Sequence, residues 1–232
     1  MPMFEKDNLK IFFKDAKGLK EIGDKSVDLF ICGSLYIGKI WGPYSDLFEN
    51  IYVENGMRVL KDKGYLVLQQ TDGYVNNNVF LKSHHLLDLM ISNGFKLIDV
   101  KIWNRCKMNM FQLPFSYFYI FVKDTNPKGR FEIKSKEYKY GVWNYKMKRG
   151  SELNAWGDDL CKLLINTFTK EGDTILDPLS GLSNILTIGS LTGRKCYGYE
   201  LDKKLKKDIE ANYKEKILKG IRNNKLEHVM VG

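Results

Sequence analysis

The chain lacks much of what would place it among membrane, secreted or metal-centred proteins. No apolar run approaches the ~18 residues that a membrane-spanning helix requires, and no signal-peptide pattern opens the sequence. Its four cysteines, Cys32, Cys106, Cys161 and Cys196, stand far apart without paired spacing. A disulfide framework or cysteine zinc site is therefore not expected, and reduced thiols in a cytosolic protein are the simplest account. The three histidines, His84, His85 and His228, have no partner ligands at metal spacing, so no metal site is expected. There is no internal repeat, no low-complexity tract and no large separate recognition segment. A Gly-x-Gly-x-x-Gly run is missing after the first strand, which argues against a nicotinamide-dependent enzyme. Acidic residues are also in deficit: 37 Lys and Arg face 28 Asp and Glu, giving a net charge of +9 and a pI near 9.2. That balance favours a polyanionic partner over an acidic small molecule. The plainer alternative is a lysine-rich background, since lysines scatter along 202–225.

What is present is a regular alternation of strands and helices in a length suited to one domain, 1–232. Lys10–Phe13, Ser26–Cys32, Gly64–Gln70, Phe95–Trp103, Phe115–Lys123, Thr174–Asp177 and Lys195–Tyr199 read as strands. Tyr44–Leu60, Val79–Asn93, Leu153–Phe168, Ser183–Thr192 and Asp202–Leu218 read as helices. This order predicts an α/β fold, a mostly parallel sheet with helices on both faces.

The densest signal lies near the C-terminus. Strand Thr174–Asp177 runs into Pro178-Leu179-Ser180-Gly181-Leu182-Ser183-Asn184, then a helix, then a strand ending at Glu200. An acidic residue at a strand tip, a glycine turn and a second carboxylate at the next strand tip form a nucleoside-binding βαβ unit. Gly181 lets the backbone pass close to a ligand, Asp177 can accept hydrogen bonds from its polar tail, and Glu200 is placed for ribose hydroxyls. Such a unit normally opens a Rossmann-like domain, and here it nearly closes one. Ligands in such sheets sit beyond the C-terminal strand ends, so Asp177 and Gly33, both at strand ends, are expected to share one crevice.

Together with Ser26–Cys32 and its small-residue turn Gly33-Ser34-Leu35-Tyr36, this unit resembles the amino-methyltransferases of nucleic acids. The resemblance is to the circularly permuted, beta-class-like arrangement in which the catalytic strand precedes the cofactor strand, and it spans roughly 11–213. It implies a Rossmann-like S-adenosylmethionine-dependent methyltransferase fold. The family's Asp-Pro-Phe-x-Gly-x-Gly-Thr loop corresponds to Asp177–Asn184, its ribose-binding acid to Glu200, and its Gly-Asp-Ala to Lys14-Asp15-Ala16. Its Phe-Pro-x-x-Leu helix start corresponds to Trp156-Gly157-Asp158-Asp159-Leu160. The cofactor-binding set implied is Asp15, Ala16, Trp156, Asp177, Pro178, Gly181, Ser183, Asn184 and Glu200. The catalytic set is Gly33, Ser34, Leu35 and Tyr36. In the family this turn is Asp, Asn or Ser followed by Pro-Pro and an aromatic. Its first side chain and the next carbonyl hold the target amine by hydrogen bonds, and the aromatic stacks on a flipped base. Here Gly33 supplies no side-chain acceptor, Ser34 is the nearest substitute, and Ser183 replaces the loop's second glycine.

Each feature also has a structural reading. Asp15, Ser183 and Asn184 suit helix or turn caps, Asp158 and Asp159 suit the positive end of a helix dipole, and Trp156 suits a hydrophobic staple. Residues 104–150 read as substrate-recognition loops. Within them Lys128, Arg130, Lys134, Lys136, Lys139, Lys146, Lys148 and Arg149 interleave with Tyr138, Tyr140, Trp143 and Tyr145. That pattern suits phosphate contact and base stacking, or a solvated loop with aromatics turned inward. The expected function is methyl transfer from S-adenosylmethionine to adenine N6 or cytosine N4 of DNA or RNA. The alternative is a catalytically silent, methyltransferase-like nucleic-acid-binding subunit beside an active partner. No membrane partner is expected, a homodimer or heteromeric methyltransferase assembly is admitted, and the location expected is cytoplasmic or nucleoid-associated.

Overall fold

A computed structural model describes residues 3–33, 48–75, 78–105, 113–123, 125, 136–148 and 155–220. Its main sheet has nine strands in the order β1-β2-β11-β10-β3-β4-β8-β7-β9. The central run is parallel: β2 (Leu9–Phe12), β11 (Lys195–Tyr199), β10 (Thr174–Asp177), β3 (Val27–Cys32) and β4 (Leu60–Gln70). β8 (Phe115–Lys123) runs antiparallel between β4 and β7 (Phe95–Asn104). β1 (Met3–Lys6) and the two-residue β9 (Val142–Trp143) form the edges. A separate hairpin joins β5 (Gly73–Val75) to β6 (Asn78–Phe80).

Helices cover both faces, as the alternation predicts. On one face α3 (Asp158–Phe168), α4 (Asn184–Leu191) and α5 (Lys206–Leu218) cover Ile11, Leu29, Ile31, Val67 and Phe118. On the other, a π-helical turn (Glu49–Glu54) leading into α1 (Asn55–Val59), together with α2 (Lys82–Ser92), packs against Phe30, Leu66, Leu68 and Phe121. The core strands are apolar on both sides because both faces are covered.

Several element boundaries differ from the sequence reading for local reasons. β4 begins at Leu60, where the apolar period suggested helix through Leu60 and a strand only from Gly64. Leu60 pairs with Val27, then Lys61–Gly64 bulge out of register before Tyr65 pairs with Leu29. The bulge is held by Lys61, whose Nζ donates to both Asp28 carboxylate oxygens at 2.8 Å. α2 begins at Lys82 rather than Val79, since 78–80 are taken by β6. α3 begins at Asp158 rather than Leu153: 153–154 lie outside the described residues, and 155–157 are not helical, with Trp156 bridged to Met147. Among the described residues no helix is long and apolar enough to cross a membrane.

Candidate active site

The C-terminal ends of β10 and β3 lie side by side. The two strands are parallel, with Ile175 opposite Leu29 and Leu176 opposite Phe30, so Asp177 and Gly33 emerge on the same edge of the sheet. Beside Gly33 stands Trp156, whose ring lies 3.5 Å from where a Cβ on Gly33 would project. The two strands therefore end side by side, Gly33 being the one residue of the expected catalytic turn that is described.

The loop after β10 is built by its own hydrogen bonds. Asp177 is 5% exposed, and its Oδ1 accepts from the Leu179 N–H at 3.0 Å. Burial pushes its carboxyl up to about 7; the Leu179 N–H pulls the other way, and the neighbouring charge of Glu200 adds to the rise. Ser180 donates its N–H to the Tyr199 carbonyl at 2.9 Å, tying the loop to β11. Gly181 adopts φ +49°, and a Cβ there would meet nothing within 4 Å. Its N–H donates to Glu200 Oε2 at 2.8 Å. The Asp202 N–H donates to Glu200 Oε1 at 2.8 Å. Each Glu200 oxygen so occupied retains a further acceptor site.

Ser183, the residue in place of a glycine, keeps a glycine-like conformation at φ +53°. That costs an L residue about 1–2 kcal/mol. A 3.0 Å hydrogen bond from its Oγ to Ser180 Oγ offsets part of this. The Cβ therefore folds back into the loop. Gly198 makes the close packing of loop on strand feasible: a Cβ there would lie 2.6 Å from Ile11, 2.7 Å from Leu186 and 3.0 Å from Ser180 Oγ.

Asn184 carries the link from this loop to Trp156. Its Nδ2 donates to the Trp156 carbonyl at 2.7 Å and to Asp158 Oδ1 at 3.2 Å. Its Oδ1 is buried and unpartnered among the described residues. Asp158 is in turn clamped by Lys216, 1% exposed in its side chain, whose Nζ donates to both carboxylate oxygens at 2.5 and 2.7 Å. The Lys216 ammonium is a main reason the Asp158 carboxyl titrates below its ordinary value, against the opposing effect of its burial. Asn212 donates to the Leu182 carbonyl at 3.2 Å and accepts from Lys148. Sequence reasoning missed Lys216 and Asn212. Both sit on a lysine-rich helix with a narrow apolar stripe, Ile209, Tyr213 and Ile217, and nothing in the pattern separates a buried flanking lysine from its solvated neighbours.

At the other flank, β2 ends beside Glu200, whose N–H donates to the Phe12 carbonyl at 3.0 Å. Asp15 is exposed, and its Oδ1 accepts from the Lys17 N–H at 2.9 Å in a local turn; Ala16 is buried beneath it. Gly157 lets the chain cross under residues 146–147: a Cβ would lie 2.3 Å from the Lys146 carbonyl oxygen.

Ser34, Leu35 and Tyr36 lie outside the described residues. So do Lys128, Arg130, Lys134 and Arg149 of the basic stretch. Within the described part of that stretch, base stacking does not hold for two of the aromatics. Tyr138 and Trp143 are buried in the core, and Tyr138 donates to Asp99 Oδ2 at 2.8 Å. The Lys101 ammonium sits 4.5 Å from the Tyr138 ring centroid. These residues anchor the segment to the sheet; Tyr140, 68% exposed, is the one that faces outward. The span 104–150 also includes β8, an interior strand, so it is not wholly loop.

The model of the DNA methylase family of N6 and N4 type matches residues 44–211. A type II methyltransferase of Methanothermobacter thermautotrophicus, M.MthZI, is 21% identical over 89% of this chain and 76% of its own length. The PvuII DNA methyltransferase, cytosine-N4-specific, superposes with a TM-score of 0.76 at 13% identity, covering 96% of this chain and 95% of that one. A Thermus thermophilus protein assigned as a DNA modification methylase, in complex with S-adenosyl-L-methionine, superposes at 0.73 with 17% identity over 89% and 93%.

Proposed function

From the premise that this chain belongs to the N6/N4-type DNA methylases, which are S-adenosylmethionine-dependent methyltransferases, we propose that it methylates the exocyclic amine of adenine or cytosine in DNA. The observation that carries this reading is the convergence of the Asp177–Asn184 loop, Glu200 and Trp156 on the tip of β3 at Gly33.

The residues fit the cofactor on two observations. A Cβ at Gly181 would enter open space, so the loop leaves room for a ligand against its backbone. Asn184 presents a buried acceptor, Oδ1, with no partner among the described residues, which suits an ammonium group. Glu200 would hold ribose hydroxyls on the acceptor sites its backbone partners leave, and Asp15 and Ala16 would flank the base. Trp156 would cover the methionine end. When bound, the cofactor supplies an electrophilic methyl group on a sulfonium. The protein's part is to exclude water, hold the amine in line and accept its N–H hydrogens, which are positioning and electrostatic effects.

A polyanionic substrate is favoured by the net charge of +9, because neutralising phosphates supplies much of the affinity of such proteins, and DNA rather than RNA by the family to which the chain belongs. That substrate implies a cytoplasmic or nucleoid-associated location, and a second copy or a partner subunit would extend the readout. One observation favours a second reading: Gly33 has no side chain to hold an amine, as a silent subunit beside an active partner would allow. Labelled methyl transfer by the purified chain to DNA and to RNA tests both. Label in DNA alone supports the proposal. No label in either, with S-adenosylmethionine still bound in calorimetry, favours the silent subunit.

A further inference from the structure

Gly33 ends the strand that should carry the amine-holding side chain, yet the space such a side chain would reach is not empty of polar groups. A Cβ on Gly33 would stand 3.6 Å from Gln69 Oε1. Gln69 lies one residue beyond Leu68, the partner of Cys32 in the parallel β3–β4 pairing, so it sits level with Gly33 on the neighbouring strand. Side chains alternate along strands. Ile31 and Val67 belong to the core cluster that also contains Trp156 and Phe118, so Gly33 and Gln69 face that same side.

The orientation of the Gln69 amide is set from behind. Its Nε2 donates to Thr71 Oγ1 at 2.9 Å, and Thr71 Oγ1 pairs with Ser116 Oγ at 2.6 Å. The donor end of the amide is thus turned along β4, and the acceptor end toward the tip of β3. An sp² amide oxygen accepts two hydrogen bonds and donates none, which is the chemistry needed opposite an N–H.

We propose that Gln69 is a catalytic residue of this chain: its Oε1 accepts a hydrogen bond from the target base's exocyclic amine, in the place a side chain at Gly33 would otherwise fill. This rests on the methyltransferase reading above. Held this way, the amine nitrogen aims its lone pair at the methyl carbon. The N–C bond forms as the S–C bond breaks, the sulfur keeps the bonding pair as a neutral thioether, and the nitrogen releases one proton to solvent. Thr71 is a positioning residue, acting through the amide it orients.

The two positions are therefore exclusive. A carboxylate introduced by Gly33→Asp would meet Gln69 Oε1, acceptor against acceptor, and gain nothing while Gln69 stays. Once Gln69 is replaced, the same carboxylate has room, since its Cβ makes only ordinary contacts with Trp156.

The test is steady-state methyl transfer to DNA by the full chain, with S-adenosylmethionine affinity measured separately by calorimetry. Gln69→Leu is expected to lose about a hundredfold in kcat, the scale of removing one transition-state hydrogen-bonding group, with cofactor Kd within about twofold by this account. Gln69→Glu keeps an acceptor and stays within about tenfold of the wild type. Gly33→Asp alone gives no gain, whereas Gly33→Asp in the Gln69→Leu background recovers at least about tenfold over Gln69→Leu. Should Gln69→Leu not fold, Gln69→Ser, too short to reach the amine, takes its place. Gln69→Leu or Gln69→Ser turning over within about threefold of wild type, or a double variant no faster than its Gln69→Leu parent, overturns the proposal while the enzyme's activity stands. A wild type that methylates no DNA overturns the methyltransferase reading, and this proposal with it.

Discussion

Replacing Asp177 with Asn should make the protein more stable at alkaline pH and a poorer binder of its cofactor. The carboxyl lies at the sheet's edge but is 5% exposed, and burial moves it from 3.8 to about 7. At about 1.4 kcal/mol per pH unit, the folded chain holds that proton roughly 4 kcal/mol more tightly than the unfolded chain does. The sign follows from the direction. A raised carboxyl contributes its full stabilisation below the unfolded value near 3.8, and loses it as pH climbs through about 7. Asn keeps the oxygen that accepts from Leu179 and carries no charge to desolvate. Urea unfolding from pH 4.5 to 8 is the assay. Wild type and Asp177→Asn are expected within about 1 kcal/mol of each other at the acid end, with the variant ahead by up to about 4 kcal/mol at pH 8. Cofactor affinity should run oppositely, tightening with pH in the wild type as the anion forms and staying flat and weaker in the variant. A pH-independent stability difference, or a variant less stable at pH 8, would refute the reasoning.

Three further outcomes follow from the same geometry. Glu200→Ala removes the acceptor of the Gly181 and Asp202 N–H groups. Losing hydrogen bonds to a charged group, at about 1.5–3 kcal/mol each, should weaken S-adenosylmethionine binding at least about tenfold in calorimetry; unchanged affinity would remove Glu200 from the site. Lys216→Met leaves Asp158 without its cation and should cost about 3 kcal/mol at neutral pH, measured by denaturant unfolding. That cost should shrink in acid, as Asp158 takes up a proton and its folded carboxyl, held low by Lys216, stops contributing. Gly157→Ala drives a Cβ to within 2.3 Å of the Lys146 carbonyl oxygen. It should cost about 3 kcal/mol or more in thermal unfolding, because backbone, not a flexible side-chain end, must move.

The strands that carry the cofactor site were fully legible in the sequence. β10 and β11 have the bounds the apolar runs predict, since a buried parallel strand is a short hydrophobic run with a turn at each end. β8, antiparallel to both neighbours but likewise buried along most of its length, was legible as an apolar run. Edge elements were not: β1 is four residues with half its side chains exposed, and β9 is two residues long, too short for any period to show. The Lys61–Gly64 bulge was hidden because its polar run reads as a loop, while the Lys61–Asp28 pair that keeps it beside β3 is a long-range contact. The site divides along the same line. Asp177, Gly181 and Glu200 are consecutive strand-tip chemistry, visible locally. Gln69, Asn212 and Lys216 matter only through neighbours from distant segments, and Tyr138 and Trp143 turn inward because Asp99, Lys101 and Phe118 await them there.

The most direct test of the central claim is nucleoside mass spectrometry of DNA incubated with the purified chain and isotopically labelled S-adenosylmethionine. Labelled N6-methyladenine or N4-methylcytosine is the predicted product, lost with Glu200→Ala. Label on a ring carbon as 5-methylcytosine, or none in DNA under conditions where the cofactor is bound, would contradict it.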